Sequence, residues 1–197
     1  MNYLAHIYLS GNNTDVQIGN FIADFIRGQD YKRLPADIQK GIKLHRFIDN
    51  YTDHHPVFKQ SKKRLFDEFR HYSAVIVDMF YDHFLAKNFD RYSSVPLDEF
   101  SQNFYALLEY NYAILPDRVV GLIPVIKRYD WLYSYRDIDA LKSILNQMNN
   151  RTSNRTQLHH AVHSLRKHYA LYEKEFFDFF EEVQFAVQKE KVEMGIY

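Results

Sequence analysis

The chain has 197 residues, 46% of them hydrophobic, which is enough apolar material for a substantial core. Its 25 basic and 25 acidic residues balance, and this argues against a general nucleic-acid binder. The absence of cysteine excludes disulfides, thiolate nucleophiles and cysteine-ligated metals. With no basic signal-peptide region and no long apolar stretch, we expect a cytoplasmic protein without nucleic-acid or membrane partners.

The chain has only six Gly and five Pro, and its apolar residues recur at helical spacing. This pattern predicts an all-α protein, a single-domain helical bundle over residues 1–197. In chain order, we predict helices at about 15–27, 35–52, 57–70, 73–88, 96–116 and 137–148, with a short or kinked segment at 117–127. A long C-terminal helix begins near residue 155, and its apolar stripe comprises Leu158, Val162, Leu165, Tyr169, Tyr172 and Phe176.

The second predicted helix carries polar groups on its apolar face. This face comprises Ile38, Gly41, Ile42, His45, Asp49 and Thr52, which recur at steps of three or four. His45 and Asp49 therefore point toward the core, and Asp53 extends the same line. A carboxylate in that position needs a cation or several hydrogen-bond donors, because burying it unpaired costs several kcal/mol.

The fourth predicted helix repeats this pattern. Asp78 and Asp82 are four residues apart on a helix that we expect to be buried on nearly all sides. Two carboxylates on one buried face repel each other unless a positive charge lies between them. His83 adjoins the pair in sequence, although helical geometry turns it about 100° away from Asp82.

These residues leave two interpretations open: a divalent-cation site, or separate core polar groups that form ion pairs and helix caps. If a metal is bound, carboxylates and imidazoles without thiolates favour Mn²⁺, Mg²⁺ or Fe²⁺ over structural zinc. Such ions activate water and neutralise oxygen charge in phosphoryl transfer. The chain has no zinc-protease H-E-x-x-H motif, no G-x-S-x-G elbow and no phosphate-binding P-loop.

Several ordered segments resemble the acyl carrier protein phosphodiesterase family. The segments are Asn2-Tyr3-Leu4-Ala5-His6, Gly19–Phe25, Gly41–Asp49 with Thr52-Asp53 and Pro56, Asp78 with Tyr81–Leu85, Leu115-Pro116 and Tyr135-Arg136-Asp137. The resemblance covers nearly the whole chain. It implies an HD-domain-like fold and hydrolysis of the phosphodiester that joins 4′-phosphopantetheine to a serine of holo acyl carrier protein, with Mn²⁺ or Mg²⁺ as cofactor.

The resemblance also implies a set of site residues. The metal candidates are Asp24, His45, Asp49, Asp78, Asp82 and His83, and the catalytic candidates are Asp24, His6 and Asp53. Periodicity alone places Asp24 on a flank of its helix and would not include it. The chain lacks the contiguous His-Asp doublet of HD proteins, so the roles within the cluster stay open.

Two other functions are compatible with the same residues. One is an HD-type metal-dependent phosphohydrolase that acts on a nucleotide or another small phosphate ester. The other is a non-enzymatic helical binding module, in which the buried Asp and His residues pair with Arg46 and Arg136. Bound metal would separate both enzymes from the binding module, and turnover without a carrier protein would separate the two enzymes.

Overall fold

The computed structural model describes residues 1–151 and 157–197, and every regular element in these residues is helical. The α-helices are α1 (Tyr3–Ser10), α2 (Thr14–Ile22), α3 (Ala36–His54), α4 (Pro56–Phe69), α5 (Ser73–Lys87), α6 (Leu97–Tyr110), α7 (Asp117–Val120), α8 (Ile123–Arg128), α9 (Trp131–Ser134), α10 (Ile138–Arg151), α11 (Ala161–Lys167) and α12 (Tyr169–Glu193). The predicted all-α bundle is confirmed. None of the helices in these two ranges has the length and apolar character needed to cross a membrane.

Helix α5 lies in the core and contacts α1, α4, α10 and α12. Its almost fully buried apolar side chains are Ile76, Val77, Met79, Phe80, Tyr81, Phe84 and Leu85. The prediction that this helix is buried on nearly all sides is therefore confirmed. Consequently, the fully buried Asp82 must find its partners inside the protein, because leaving a buried carboxylate unpaired is costly, whereas Asp78 is partly exposed.

Helices α2 and α3 cross in close contact at two glycines. A Cβ atom added to Gly19 would lie 2.1 Å from the carbonyl oxygen of Ile38, and one added to Gly41 would lie 2.3 Å from that of Val16. No side chain fits between these backbones, so glycine is required at the crossing. The crossing brings Asn20, which follows Gly19, against His45, which lies one turn after Gly41.

Substitution of Gly41 by alanine should destabilise the protein by about 1–3 kcal/mol, because its methyl group would force two backbones apart. Gly121→Ala is the matched control, since a Cβ atom there would lie 3.5 Å from its nearest neighbour, an ordinary contact. The measurement is urea unfolding of both variants. Equal stability of the two variants would show that the crossing tolerates a side chain.

Helix ends differ from the predictions in three places. The helix predicted to reach residue 27 ends as an α-helix at Ile22 and continues as a 3-10 turn, Ala23–Phe25, which carries Asp24. The helix predicted to reach residue 116 ends at Tyr110. The long C-terminal helix is interrupted at His168, whose ψ of 29° separates α11 from α12. The apolar stripe continues across this break, so periodicity could not locate it. The predicted start near residue 155 lies outside the described residues.

Candidate functional site

Two histidines from different helices meet over one carboxylate. His6 of α1 and His45 of α3 stack with their ring centroids 4.1 Å apart and an interplanar angle of 20°. The Nε2 atom of His6 lies 3.2 Å from Asp49 Oδ1, and Nε2 of His45 lies 3.0 Å from Asp49 Oδ2. Asp24 Oδ1 approaches His45 Nε2 at 3.2 Å. Two imidazole Nε2 atoms and two carboxylates therefore converge on a small volume.

Asn20 of α2 fixes the orientation of both rings. Its Oδ1 atom lies 2.8 Å from Nδ1 of His6 and 3.2 Å from Nδ1 of His45, while its backbone oxygen is 2.9 Å from His45 Nδ1. Its Nδ2 group donates to the backbone oxygen of His6 and to Ser10 Oγ. With each Nδ1 engaged by an oxygen acceptor, each ring directs Nε2 toward the carboxylates, as in histidine metal ligands held by outer-shell partners.

The donor set fits a divalent cation. One ligand atom from each of His6, His45 and Asp49 can be chosen so that all three lie within 4.8 Å of one another. Despite its proximity to Asp49, the buried Nε2 atom of His6 makes no well-aligned hydrogen bond within the described part of the chain. An imidazole pair with carboxylates and no thiolate suits Mn²⁺, Fe²⁺ or a similar ion.

The electrostatics of the cluster leave one of its two histidines positively charged. Burial and the neighbouring His45 lower the pKa of His6 to about 4, so its ring is neutral. Burial also opposes a charge on His45, but hydrogen bonds to Asp24 and Asp49 outweigh it and raise the pKa of His45 to about 9. Although burial raises the pKa of Asp49, the hydrogen bond from His45 and the proximity of the His6 ring hold it well below its ordinary value. A cation would displace the His45 proton from the space between the carboxylates.

A polar cavity of about 330 Å³ opens beside the cluster. Its lining residues are Met1, Asn2, Asp24, His45, Asp49, Thr52, Asp53, His71, Ala74, Val75 and Asp78. Asp24, Asp53 and His71 are exposed at its mouth, whereas Thr52 is buried. The Oγ1 atom of Thr52 has no hydrogen-bond partner among the described residues. The cavity therefore offers open access on one side and polar groups around its wall.

The structure separates the two aspartates of α5. Asp78 lines the cavity and accepts a hydrogen bond from the amino group of Met1 at 2.7 Å. Asp82 does not line the cavity but accepts from the backbone N–H groups of Asn2, Leu4 and Ala5, at 3.3, 2.8 and 3.3 Å. Burial raises the pKa of Asp82 to about 7, although these donors favour its ionised form. Asp82 thus anchors the N-terminus of α1, the helix that carries His6.

Asp82→Ala should lower the free energy of unfolding by about 3 kcal/mol, because it leaves buried N–H donors without an acceptor. Asp82→Asn should cost less, since its amide oxygen can still accept from Leu4. Chemical denaturation measures both, with the exposed Asp67→Ala as control. An Asp82→Ala protein as stable as this control would contradict the anchoring role.

His83 faces away from the cluster. Its Nδ1 lies 2.8 Å from the backbone oxygen of Tyr135, and its Nε2 lies 2.9 Å from Tyr169 Oη. Burial lowers the pKa of His83. Both ring nitrogens are thus engaged by neighbours outside the cavity, and the structure does not bring His83 together with His45 and Asp49.

Three residues of the site were not among the predicted site residues: Asn20, Thr52 and His71. Asn20 follows the crossing glycine and precedes Asp24 by four residues, a spacing that offered a signal. Thr52 belongs to the predicted apolar face that includes His45 and Asp49. His71 comes from the 3-10 turn Arg70–Tyr72, and nothing in its local sequence pattern points to the cavity.

Comparisons with known proteins agree with the sequence resemblance. A family model described as acyl carrier protein phosphodiesterase matches residues 1–183. A protein of that name from Escherichia coli O45:K1 is 34% identical over 184 residues, which cover 91% of this chain and 94% of the relative. Proteins of the same name from Salmonella paratyphi A and Salmonella agona are 32% and 33% identical, with the same coverage. No solved structure matches the chain. The chain belongs to the acyl carrier protein phosphodiesterase family.

Proposed function

We propose that this protein hydrolyses the phosphodiester between 4′-phosphopantetheine and the serine of holo acyl carrier protein, releasing the apo carrier. The observation that carries the proposal is the convergence of His6, His45 and Asp49 beside an open polar cavity. Membership of the family supports acyl carrier protein as the partner and hydrolysis as the reaction. We further propose that residues 1–197 act as one all-helical phosphodiesterase domain.

In this proposal, His6, His45 and Asp49 hold a divalent cation, Mn²⁺ before Mg²⁺ or Fe²⁺, and Asp24 completes the set. The chemistry that such an ion supplies when bound is neutralisation of phosphate charge and activation of water. Asp78 lies at the cavity wall, paired with the amino group of Met1, and we give it a supporting rather than a ligating role. Asp82 is a positioning residue that anchors α1, and His83 lies outside the cavity and has no role in this proposal.

Proton transfer is assigned to the exposed groups at the mouth. Asp53, or the part of Asp24 not engaged by His45, accepts a proton from the attacking water. The water oxygen bonds to phosphorus as the bond from phosphorus to the serine oxygen breaks. His71, on the wall of the same cavity, donates the proton that the departing serine oxygen requires. The products are the serine hydroxyl of the apo carrier and the phosphate monoester of the arm.

The arginines give no support to the binding-module alternative. That alternative needs Arg46 and Arg136 as partners of the acidic residues. Instead, Arg46 donates to the backbone oxygen of Gly28 and lies over the ring of Tyr31. Arg136 donates to the hydroxyl of Tyr133 at 2.7 Å. Thus neither arginine offsets the charge of Asp24 and Asp49. The one protonated histidine, His45, leaves the cluster with a net negative charge that a cation would neutralise.

The test is incubation with holo carrier and Mn²⁺, followed by mass spectrometry of the carrier. We expect the carrier to lose the mass of its prosthetic group, and to keep it when a chelator is present. An unchanged carrier with Mn²⁺, Mg²⁺ and Fe²⁺ would exclude this function. Turnover of nucleotides or small phosphate esters in that case would instead favour the HD-type phosphohydrolase.

A further inference from the structure

A second cavity adjoins the polar one. It has a volume of about 220 Å³ and shares Asn2, Asp24 and Val75 with the polar cavity. The rest of its lining comes from Tyr3, Met79, Trp131, Tyr135, Ile144, Gln147 and Met148. The space beside the cluster therefore continues from a carboxylate-lined part into a part with an apolar and aromatic wall.

Four residues in the wall of this second cavity are buried. Met79 and Tyr135 are 0% and 1% exposed, and Trp131 and Ile144 are each 7% exposed. The indole N–H of Trp131 finds no hydrogen-bond acceptor in the described part of the chain. Asn2 lies at the junction of the two cavities, where its Nδ2 group donates to the hydroxyl of Tyr135. An apolar cavity with a few fixed polar groups is typical of a site for a small organic group.

We propose that this apolar cavity binds the pantetheine arm of the substrate, the linear, amide-containing chain on the distal side of the phosphate. The inference rests on the proposed function. With the phosphate beside His45 and Asp49, the carrier and the pantetheine arm, which are its two ester substituents, must extend from it in different directions. A folded carrier fits only the open side, where Asp24, Asp53 and His71 are exposed. The enclosed side admits only a thin chain.

The single tryptophan of the protein lies in this wall, so its fluorescence reports on the cavity directly. The probe is pantetheine, which has neither phosphate nor carrier. We expect a saturable change in Trp131 emission with the wild-type protein. Ile144→Phe, which fills the cavity, should weaken the apparent affinity roughly tenfold. The absence of any saturable change with pantetheine would overturn the proposal.

Kinetics supply the second measurement, with Met148→Trp at the partly buried lip of the cavity alongside Ile144→Phe. Both variants should lower kcat/KM for holo carrier by roughly tenfold or more. Both should bind Mn²⁺ with wild-type affinity, because neither residue lines the polar cavity. Folded variants with wild-type kcat/KM for holo carrier would contradict the arm site.

The two proposals fail in different ways. A wild-type protein that leaves holo carrier intact but binds pantetheine would exclude the proposed function, and the apolar cavity would remain only as a site for pantetheine. A protein that converts holo carrier but shows no pantetheine-dependent emission, and no loss in the two filled variants, would keep the function and exclude the arm site.

Discussion

Asp49→Ala is expected to reduce turnover of holo carrier by more than about a hundredfold. Asp49 contacts the Nε2 atoms of both His6 and His45, through separate carboxylate oxygens. Even the outer-shell partners of metal ligands are worth about 10–100-fold in affinity or activity, so a residue that would hold the ion directly should be worth more. The measurement is kcat/KM for holo carrier at saturating Mn²⁺, with the mass of the carrier as the readout.

The control for Asp49→Ala is Asp67→Ala, an exposed carboxylate on α4 outside the cavity. It should keep wild-type kcat/KM. The Asp49 side chain is 45% exposed, so its removal leaves no large void and the variant should fold. A folded Asp49→Ala protein with activity close to that of the control would remove Asp49 from the site.

Asn20→Ala is expected to weaken Mn²⁺ binding by about 10–100-fold, because His6 loses the acceptor that orients its ring. The loss of orientation should affect mainly the His6 ring, since His45 Nδ1 still contacts the backbone oxygen of residue 20. Asn20 is fully buried and also donates to the backbone oxygen of His6 and to Ser10. Stability should therefore fall by about 2–3 kcal/mol as well.

Calorimetric titration with Mn²⁺ and urea unfolding measure these two effects separately. Asn111→Ala is the matched control, because that side chain donates only within its own helical segment, to the oxygen of Leu107. The titration is run without urea, at a temperature well below the thermal unfolding midpoint of the variant. Wild-type Mn²⁺ affinity in folded Asn20→Ala would show that Asn20 does not orient a ligand.

Helical periodicity predicted much of the polar face of α3. His45 and Asp49 continue the apolar line of Ile38 and Ile42, and in the structure they contact each other. His45 is buried as predicted, whereas the Asp49 side chain is 45% exposed at the wall of the polar cavity. The same reasoning on α5 correctly predicted a buried helix. It could not distinguish a carboxylate that faces a cavity from one that accepts backbone N–H groups. That difference depends on α1, which reaches Asp82 across 77 to 80 residues of sequence.

Contacts between helices account for the rest of the site. His6 lies in a short helix with no polar repeat, and only the packing of α1 brings it over Asp49. Asp24 approaches His45 from a 3-10 turn, which helical spacing had predicted as part of a longer α-helix. The family resemblance included both residues because it compares whole ordered motifs, whereas periodicity describes one helix at a time.

The most direct test of the account is calorimetric titration of the purified, chelator-treated protein with Mn²⁺. We expect saturable binding in the wild-type protein, with protons released as the ion displaces the one on His45. Asp49→Ala should abolish this binding, and Asp67→Ala should leave it unchanged. Absence of Mn²⁺ binding in the wild-type protein, or equal binding in Asp49→Ala, would contradict a metal centre formed by His6, His45 and Asp49.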